Sequence, residues 1–282
     1  SRQLKHLARV VRLKSDGITQ FTVLKGLICG AVCLPGGTKR LPSLFSALGR
    51  EIDRHILHDG AYINRNPSSH HTVLTRLVEI RSIIDGLQFP TNIALEETIQ
   101  KMAPVLRFFR HPDGGLSQFN GSVPETAQRI DQTLIRAEAR SLPPQILSGS
   151  GYNRLLSGKI LILFDIGAPP PSGFDINAHA GTLSMEVSVG RERLIVNCGA
   201  IVGIENNWKT VQRTTAAHST LSIEDRNSSE LLAHGGIGTR RAKVVADLKE
   251  DEGYISSSAS HDGYVLPYAT VHSRTLRLSK QD

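Results

Sequence analysis

Near residue 145 the spacing of apolar residues changes from a helical to a strand-like period, and that change constrains the fold more than any other feature of the chain. Before it, apolar residues recur every three or four positions: Phe45, Leu48, Ile52 and Ile56; Val73, Leu77, Ile80, Ile84 and Leu87; Ile99, Met102, Leu106 and Phe109; Ile130, Leu134 and Ala137. This spacing lays an apolar stripe along each of several successive helices. Phe21 to Leu34 is a further apolar, helix-like run. Pro35-Gly36-Gly37 and Asp59-Gly60 break the pattern, and Pro124-Glu125 marks a helix start. After Ser141-Leu142-Pro143-Pro144 the period shortens towards two, with β-branched and aliphatic runs at 160–164, 183–189, 194–196, 219–223, 244–248 and 270–278. No amphipathic helix separates these runs, so they predict antiparallel pairing rather than βαβ units. The expectation is a multidomain α-then-β chain: helices over residues 1–145, then an antiparallel β-sandwich over 146–282.

Composition narrows the partners. A chain of 282 residues with 39% hydrophobic and 21% charged content buries a core and is not disordered. No apolar run of about 18 residues is present, so no transmembrane segment is expected. The start, Ser1-Arg2-Gln3-Leu4-Lys5-His6, lacks the apolar core of a secretory signal. The chain opens on a helical pattern and stops just after a strand-like segment, Arg274 to Leu278, so it is expected to be a piece of a longer protein, truncated at both ends. Cys29, Cys33 and Cys198 make no disulfide framework and are expected to be buried free thiols. Residues 1–140 carry 19 Lys and Arg against 12 Asp and Glu, whereas residues 141–282 carry 14 against 14, so the whole formal charge of +7 lies in the helical part. Such a surface suits a polyanion (acidic polysaccharide, nucleic acid or anionic membrane), or is an ordinary solvated helical face. Nucleic acid is disfavoured: no binding motif accompanies the charge, and aromatics for base stacking are 5% of residues. Gly114-Gly115 follows no strand and precedes no P-loop lysine, no Gly-x-Ser-x-Gly is present, and Gly235 to Gly238 reads as a hairpin.

Three segments of the β part carry a family signature: Ala178-His179-Ala180-Gly181, Ile195-Val196-Asn197-Cys198-Gly199 and Gln212-Arg213-Thr214-Thr215-Ala216-Ala217-His218-Ser219-Thr220. With His58-Asp59-Gly60-Ala61-Tyr62-Ile63-Asn64-Arg65-Asn66-Pro67 and the 108–120 segment, they resemble the heparinase II/III-like polysaccharide lyases over nearly the whole chain. The resemblance implies an incomplete α/α toroid packed on an antiparallel β-sandwich. It also implies cleavage of a uronate-containing glycan, such as a glycosaminoglycan, by β-elimination in the periplasm or cell envelope of a Gram-negative bacterium.

That chemistry needs a donor to offset the C5 carboxylate, a Tyr or His to take the C5 proton, and a Tyr or His to protonate the leaving O4. Relatives often carry Tyr-His just after the Pro; here Ser69 stands at the Tyr position and His70 at the His. The resemblance therefore assigns acid or base work to Tyr62 or His70, at a cleft shared with Asn177, which stands where some relatives place a catalytic His. Substrate contacts fall to Arg65, Asn66, Arg110, His111 and Arg213. The bland readings are that Asn66-Pro67 is a turn pair, Tyr62 packs with its hydroxyl wet, and one of His70 and His71 faces solvent. Likewise His111 and Asp113 belong to a Pro-Asp-Gly-Gly turn, and Arg213 makes a surface salt bridge. His179, Asn197 and His218, on segments read as strands, match three zinc-binding positions of relatives, with Asn197 in place of an Asp. A carboxamide is a poor zinc ligand, and on a strand Cys198 points away from Asn197. No cofactor is therefore expected, and His179 and His218 are expected to hydrogen-bond in a polar core, with Asp165 and Asp225 as outside ligands should zinc bind. His261, Tyr264 and His272 either face the cleft or decorate hairpins. The functional expectation is a lyase on an acidic polysaccharide; the alternative is a non-catalytic glycan-binding or envelope-structural relative that has lost the site.

Overall fold

The computed structural model describes residues 2–10, 17–86, 92–201, 203, 207–250 and 253–280. Among the described residues six helices come first: α1 (Arg2–Val10), α2 (Gly17–Cys33), α3 (Leu41–His55), α4 (Pro67–Asp85), α5 (Ile93–Phe108) and α6 (Ala127–Ala137). Their starts follow local chemistry. Asn66 caps α4, its side chain accepting from Ser69 N, with Pro67 opening the helix; Asn92 caps α5 and Thr126 caps α6 in the same way. Helix α6 thus begins three residues after Pro124. The 35–37 and 59–60 breaks are turns, and Leu87 lies outside the described residues.

Eight strands follow among the described residues: β1 (Ile146–Leu147), β2 (Tyr152–Ser157), β3 (Ile160–Asp165), β4 (Met185–Val189), β5 (Glu192–Ile195), β6 (Val244–Glu250), β7 (Tyr254–His261) and β8 (His272–Ser279). They form a five-stranded antiparallel sheet in the order β1-β2-β3-β4-β5 and a three-stranded antiparallel sheet in the order β6-β7-β8. Two short helices, α7 (Asn207–Val211) and α8 (Val265–Tyr268), lie in the connections. The architecture is the expected one, helices and then an antiparallel sandwich.

The five-stranded sheet is the middle layer, and side-chain alternation gives it two unlike faces. Leu155, Ile162 and Val187 pack against Ile255 and Leu278 of the other sheet. Tyr152, Leu161 and Leu163 point the opposite way and join the helical core of Phe21, Leu24, Val73, Leu77, Ile99 and Phe109. On this helix-facing side Arg154 stands opposite Leu163, which stands opposite Glu186, while Asp165 stands opposite Tyr152. Two buried carboxylates on this strand face, Asp165 and Glu186, must find partners, and the helical part supplies them.

Several expectations need correction. The run at 219–223 is not a strand: Met185 N donates to Ser219 Oγ at 2.9 Å and Thr220 Oγ1 donates to Thr182 O at 2.9 Å, so side chains tie it down in place of a ladder. His179, Asn197 and His218 accordingly lie in irregular segments beside strands, not on them. Cys29, Cys33 and Cys198 are exposed. His70 and His71 are both buried, as are His261, Tyr264 and His272, whose rings form a polar core between β7 and β8, with His272 Nδ1 3.1 Å from His261 Nε2. Five strands, β3, β4, β5, β6 and β8, fall on the apolar runs at 160–164, 183–189, 194–196, 244–248 and 270–278, whereas β2 and β7 were not anticipated, because Asn153, Arg154 and a serine run interrupt their pattern.

Candidate functional site

Cavity volume does not single out a site, since several hollows of about 430 to 780 Å³ exist. Chemistry does. One cleft of about 440 Å³ lies between the start of α4 and the irregular β-domain segments, and is lined by Asn66, Ser69, Asn177, His179, Lys209 and Arg213 among others. It therefore brings together three of the residues singled out from sequence with one singled out for metal binding. Gly121, at φ 76, makes the close approach possible, because a Cβ there would lie 2.9 Å from Asn177 O and 3.0 Å from His179 Nε2.

The two histidines form a directed chain. His218 Nδ1 lies 2.7 Å from Thr214 O, an acceptor, so this nitrogen carries the proton and Nε2 is the acceptor. His179 Nδ1 then donates to His218 Nε2 across 3.0 Å, leaving the lone pair of His179 Nε2 towards Gly121 and the cleft. Burial, with His218 and Arg213 nearby, pushes His179 down to about 2, and burial pushes His218 down to about 4. Both rings are neutral at neutral pH.

This donor set does not fit zinc. The His218 Nε2 lone pair is engaged by His179. Asn197 Oδ1 accepts from Ser219 N at 3.1 Å, and Asn197 Nδ2 donates to Glu186 Oε1 at 3.1 Å. Cys198 Sγ turns towards the carbonyls of Gly199 and Gln212. Asp165 is paired with Arg65, and Asp225 is exposed in a turn. Among the described residues no group of three His, Cys, Asp or Glu is placed to hold a metal ion.

The residues assigned to substrate are mostly spent on the protein itself. Arg65, at a left-handed φ of 59, is buried; its guanidinium donates to the carbonyls of Ser150, Gly151 and Ala168, pairs with Asp165 and stacks on Tyr152 at 4.7 Å. Asn66 Oδ1 accepts from Ser69 N and Ser68 Oγ, and its Nδ2 donates to Asn120 O at 2.9 Å. Arg213 donates to the carbonyls of Ala178, Leu232 and Gly236 at 3.0, 3.2 and 2.7 Å, so it makes no surface salt bridge. His111 sits with Nε2 2.9 Å from Glu186 Oε2 and Nδ1 2.6 Å from Ser188 Oγ, away from the cleft. Arg110 also lies elsewhere, donating to Gly114 O at 2.9 Å and pairing with Asp131 at 2.6 Å.

The two proton-transfer candidates are not brought to the cleft. Tyr62 packs in the helical core, its ring stacked on His55 at a centroid distance of 5.9 Å. His70 is buried with Nε2 2.9 Å from Met102 O, and burial pushes it down to about 4. Neither lines the cleft with Asn177. Sequence reasoning missed Glu186, a fully buried carboxylate that holds His111, Gln118 N and Asn197 together. Its signal was present as Met-Glu-Val-Ser-Val, an acid and a serine at period two in an apolar run.

Comparison with known proteins is consistent with this architecture. Residues 139–282 match the family described as Heparinase II/III-like, C-terminal. FtsZ-localized protein C of Caulobacter vibrioides is 26% identical over 287 residues, covering 99% of this chain and 49% of that protein. Among solved structures, heparinase III superposes with a TM-score of 0.73 at 15% identity, covering 94% of this chain and 46% of that one. Heparan sulfate lyase HepC from Pedobacter heparinus gives a TM-score of 0.71 at 15% identity, covering 99% and 46%. The chain thus spans about half the length of the relatives it matches.

Proposed function

Because the chain belongs to the heparinase II/III-like family, we propose that it is a member in which the fold has outlasted the cleavage chemistry: a module that holds an acidic glycan without eliminating it. One observation carries this reading. Among the described residues the cleft offers one neutral imidazole, His179, and no tyrosine, while Tyr62 and His70 are enclosed in the helical core. β-Elimination needs both a proton acceptor and a proton donor at the sugar, together with a donor free to meet the carboxylate. Arg213 and Asn66 line the cleft but donate to backbone carbonyls. Lys209 and Asn177, both exposed at the rim, are suited to holding a carboxylate by charge and hydrogen bonding rather than to moving protons.

The basic balance of residues 1–140 supports a polyanionic ligand. The Caulobacter relative, whose name records localisation by FtsZ and not an enzymatic activity, supports a structural role. A place at the cell envelope follows as part of the same proposal. The test uses the full-length protein with a panel of uronate polysaccharides, following ultraviolet absorbance of the 4,5-unsaturated product alongside glycan binding. Binding without absorbance is expected, with Lys209→Ala weakening it. Sustained product formation on any member of the panel overturns the reading.

A further inference from the structure

A second hollow of about 460 Å³ shares no lining residue with the cleft and is lined by Arg107, Arg110, Arg154 and Arg191, with Asp113 and Asp131. Its arginines come from both parts of the molecule: Arg107 from α5, Arg110 just beyond it, Arg154 from β2 and Arg191 from the β4–β5 turn. Each carboxylate already has a cation. Asp131 pairs with Arg110 at 2.6 Å, and Asp113 pairs with Arg193 at 2.7 Å. Among the described residues Arg107 donates to the carbonyls of Ser141 and Ala139, which are neutral. Arg154 Nε is buried with no hydrogen-bond partner among the described residues, and no ion pair is recorded for Arg154 or Arg191 among them.

Three guanidinium groups, those of Arg107, Arg154 and Arg191, therefore line the hollow with no ion pair of their own among the described residues, its two carboxylates being paired with Arg110 and Arg193. Burial lowers the proton affinity of Arg154, and burial with Arg110 nearby lowers that of Arg107, yet arginine remains charged at any physiological pH. An unpaired buried donor on a cation costs free energy unless something satisfies it. Gly114, at φ 94, has room for no side chain because a Cβ would lie 2.7 Å from Ala127 Cβ, and its carbonyl fixes Arg110 Nε at 2.9 Å. His111, at the edge, is held by Glu186 and Ser188 and adds no competing contact.

We propose that this hollow is an anion-binding site, separate from the cleft, for a sugar-sized phosphate or sulfate ester. Guanidinium forks match the oxygens of such esters pairwise, and the volume exceeds that of a bare oxyanion while falling within the range of small-ligand pockets, roughly 300 to 1,000 Å³. The site is independent of whether the cleft cleaves or only binds.

The experiment is calorimetric titration of the full chain, at constant ionic strength, with glucose 6-phosphate, N-acetylglucosamine 6-sulfate and unmodified glucose. Saturable binding of at least one ester and none of glucose is expected; which ester binds more tightly identifies the source of the oxyanion. Arg154→Met, which keeps the aliphatic stem, and Arg191→Ala, at an exposed turn where folding is not at stake, are each expected to weaken binding about tenfold. Lys209→Ala in the cleft is expected to leave it unchanged. Absence of saturable binding for both esters overturns the proposal, as does unaltered affinity in Arg191→Ala together with Arg154→Met.

Discussion

His70 stabilises the helical core only while it is uncharged. Its ring is enclosed, Nε2 donates to Met102 O, and Nδ1 has no hydrogen-bond partner among the described residues, so a second proton would be buried without compensation. Burial holds the folded ring at about 4, against an ordinary value of 6.5. Between those two values the unfolded chain takes up a proton that the folded chain refuses, so this contribution is whole above pH 6.5 and falls as pH drops towards about 4. Linkage puts the full loss at about 3 kcal/mol. Urea denaturation of the wild type and His70→Gln at pH 7 and pH 4.5 reads it. The variant, which keeps a donor for Met102 O and has no ring to charge, is expected to lose less stability on acidification. Equal losses in both would contradict the account. The same reasoning explains why two adjacent helical histidines are buried when one was expected to face solvent. His71 Nε2 meets Thr133 Oγ1 at 2.9 Å, so α6 covers the face that periodicity had left open.

At the scale of elements, the helix-facing side of the five-stranded sheet is joined to the helical part by buried polar pairs, Arg65 with Asp165 and His111 with Glu186. Arg65→Met leaves Asp165 facing no cation and is expected to cost about 3 to 5 kcal/mol, whereas pairing it with Asp165→Leu is expected to recover much of that loss. Chemical denaturation of the two single variants and the double variant measures the coupling; simple additivity would deny the pair its role. The helices were legible because their stripes recur at a fixed period, and strands β3, β4, β5, β6 and β8 because their runs are apolar. The site was less legible. Arg65, His111 and Arg213 carry the residue types that bind a uronate, and spacing along the chain does not reveal whether a guanidinium points at solvent or at a carbonyl on another element. Each of these is answered by partners 19 or more positions away in sequence, beyond the reach of any local pattern. His179 and His218 do hydrogen-bond to each other, through a chain anchored on Thr214 rather than on strands.

The whole molecule has one large core that crosses the boundary between helices and sheet. Leu147, Tyr152, Leu161 and Leu163 of the β part are buried with Phe109, Phe119 and the helices, and Tyr152 Oη donates to Arg65 O at 2.8 Å while accepting from Asn120 Nδ2 at 2.9 Å. Neither part can open without exposing the other, so thermal unfolding of the chain is expected as a single transition seen alike by far-ultraviolet circular dichroism and by fluorescence of Tyr152→Trp or another reporter at the seam. Two separated transitions would show that the parts fold independently. The polar pairs across that seam also act as a lock on recombination. A helical part transplanted from a relative with an apolar residue at the Arg65 position would arrive with nothing for Asp165, and the graft would carry a stranded charge. Exchange between members of such a family is thereby favoured in blocks that bring both halves of each pair, so that the two parts tend to descend together whatever chemistry the cleft performs.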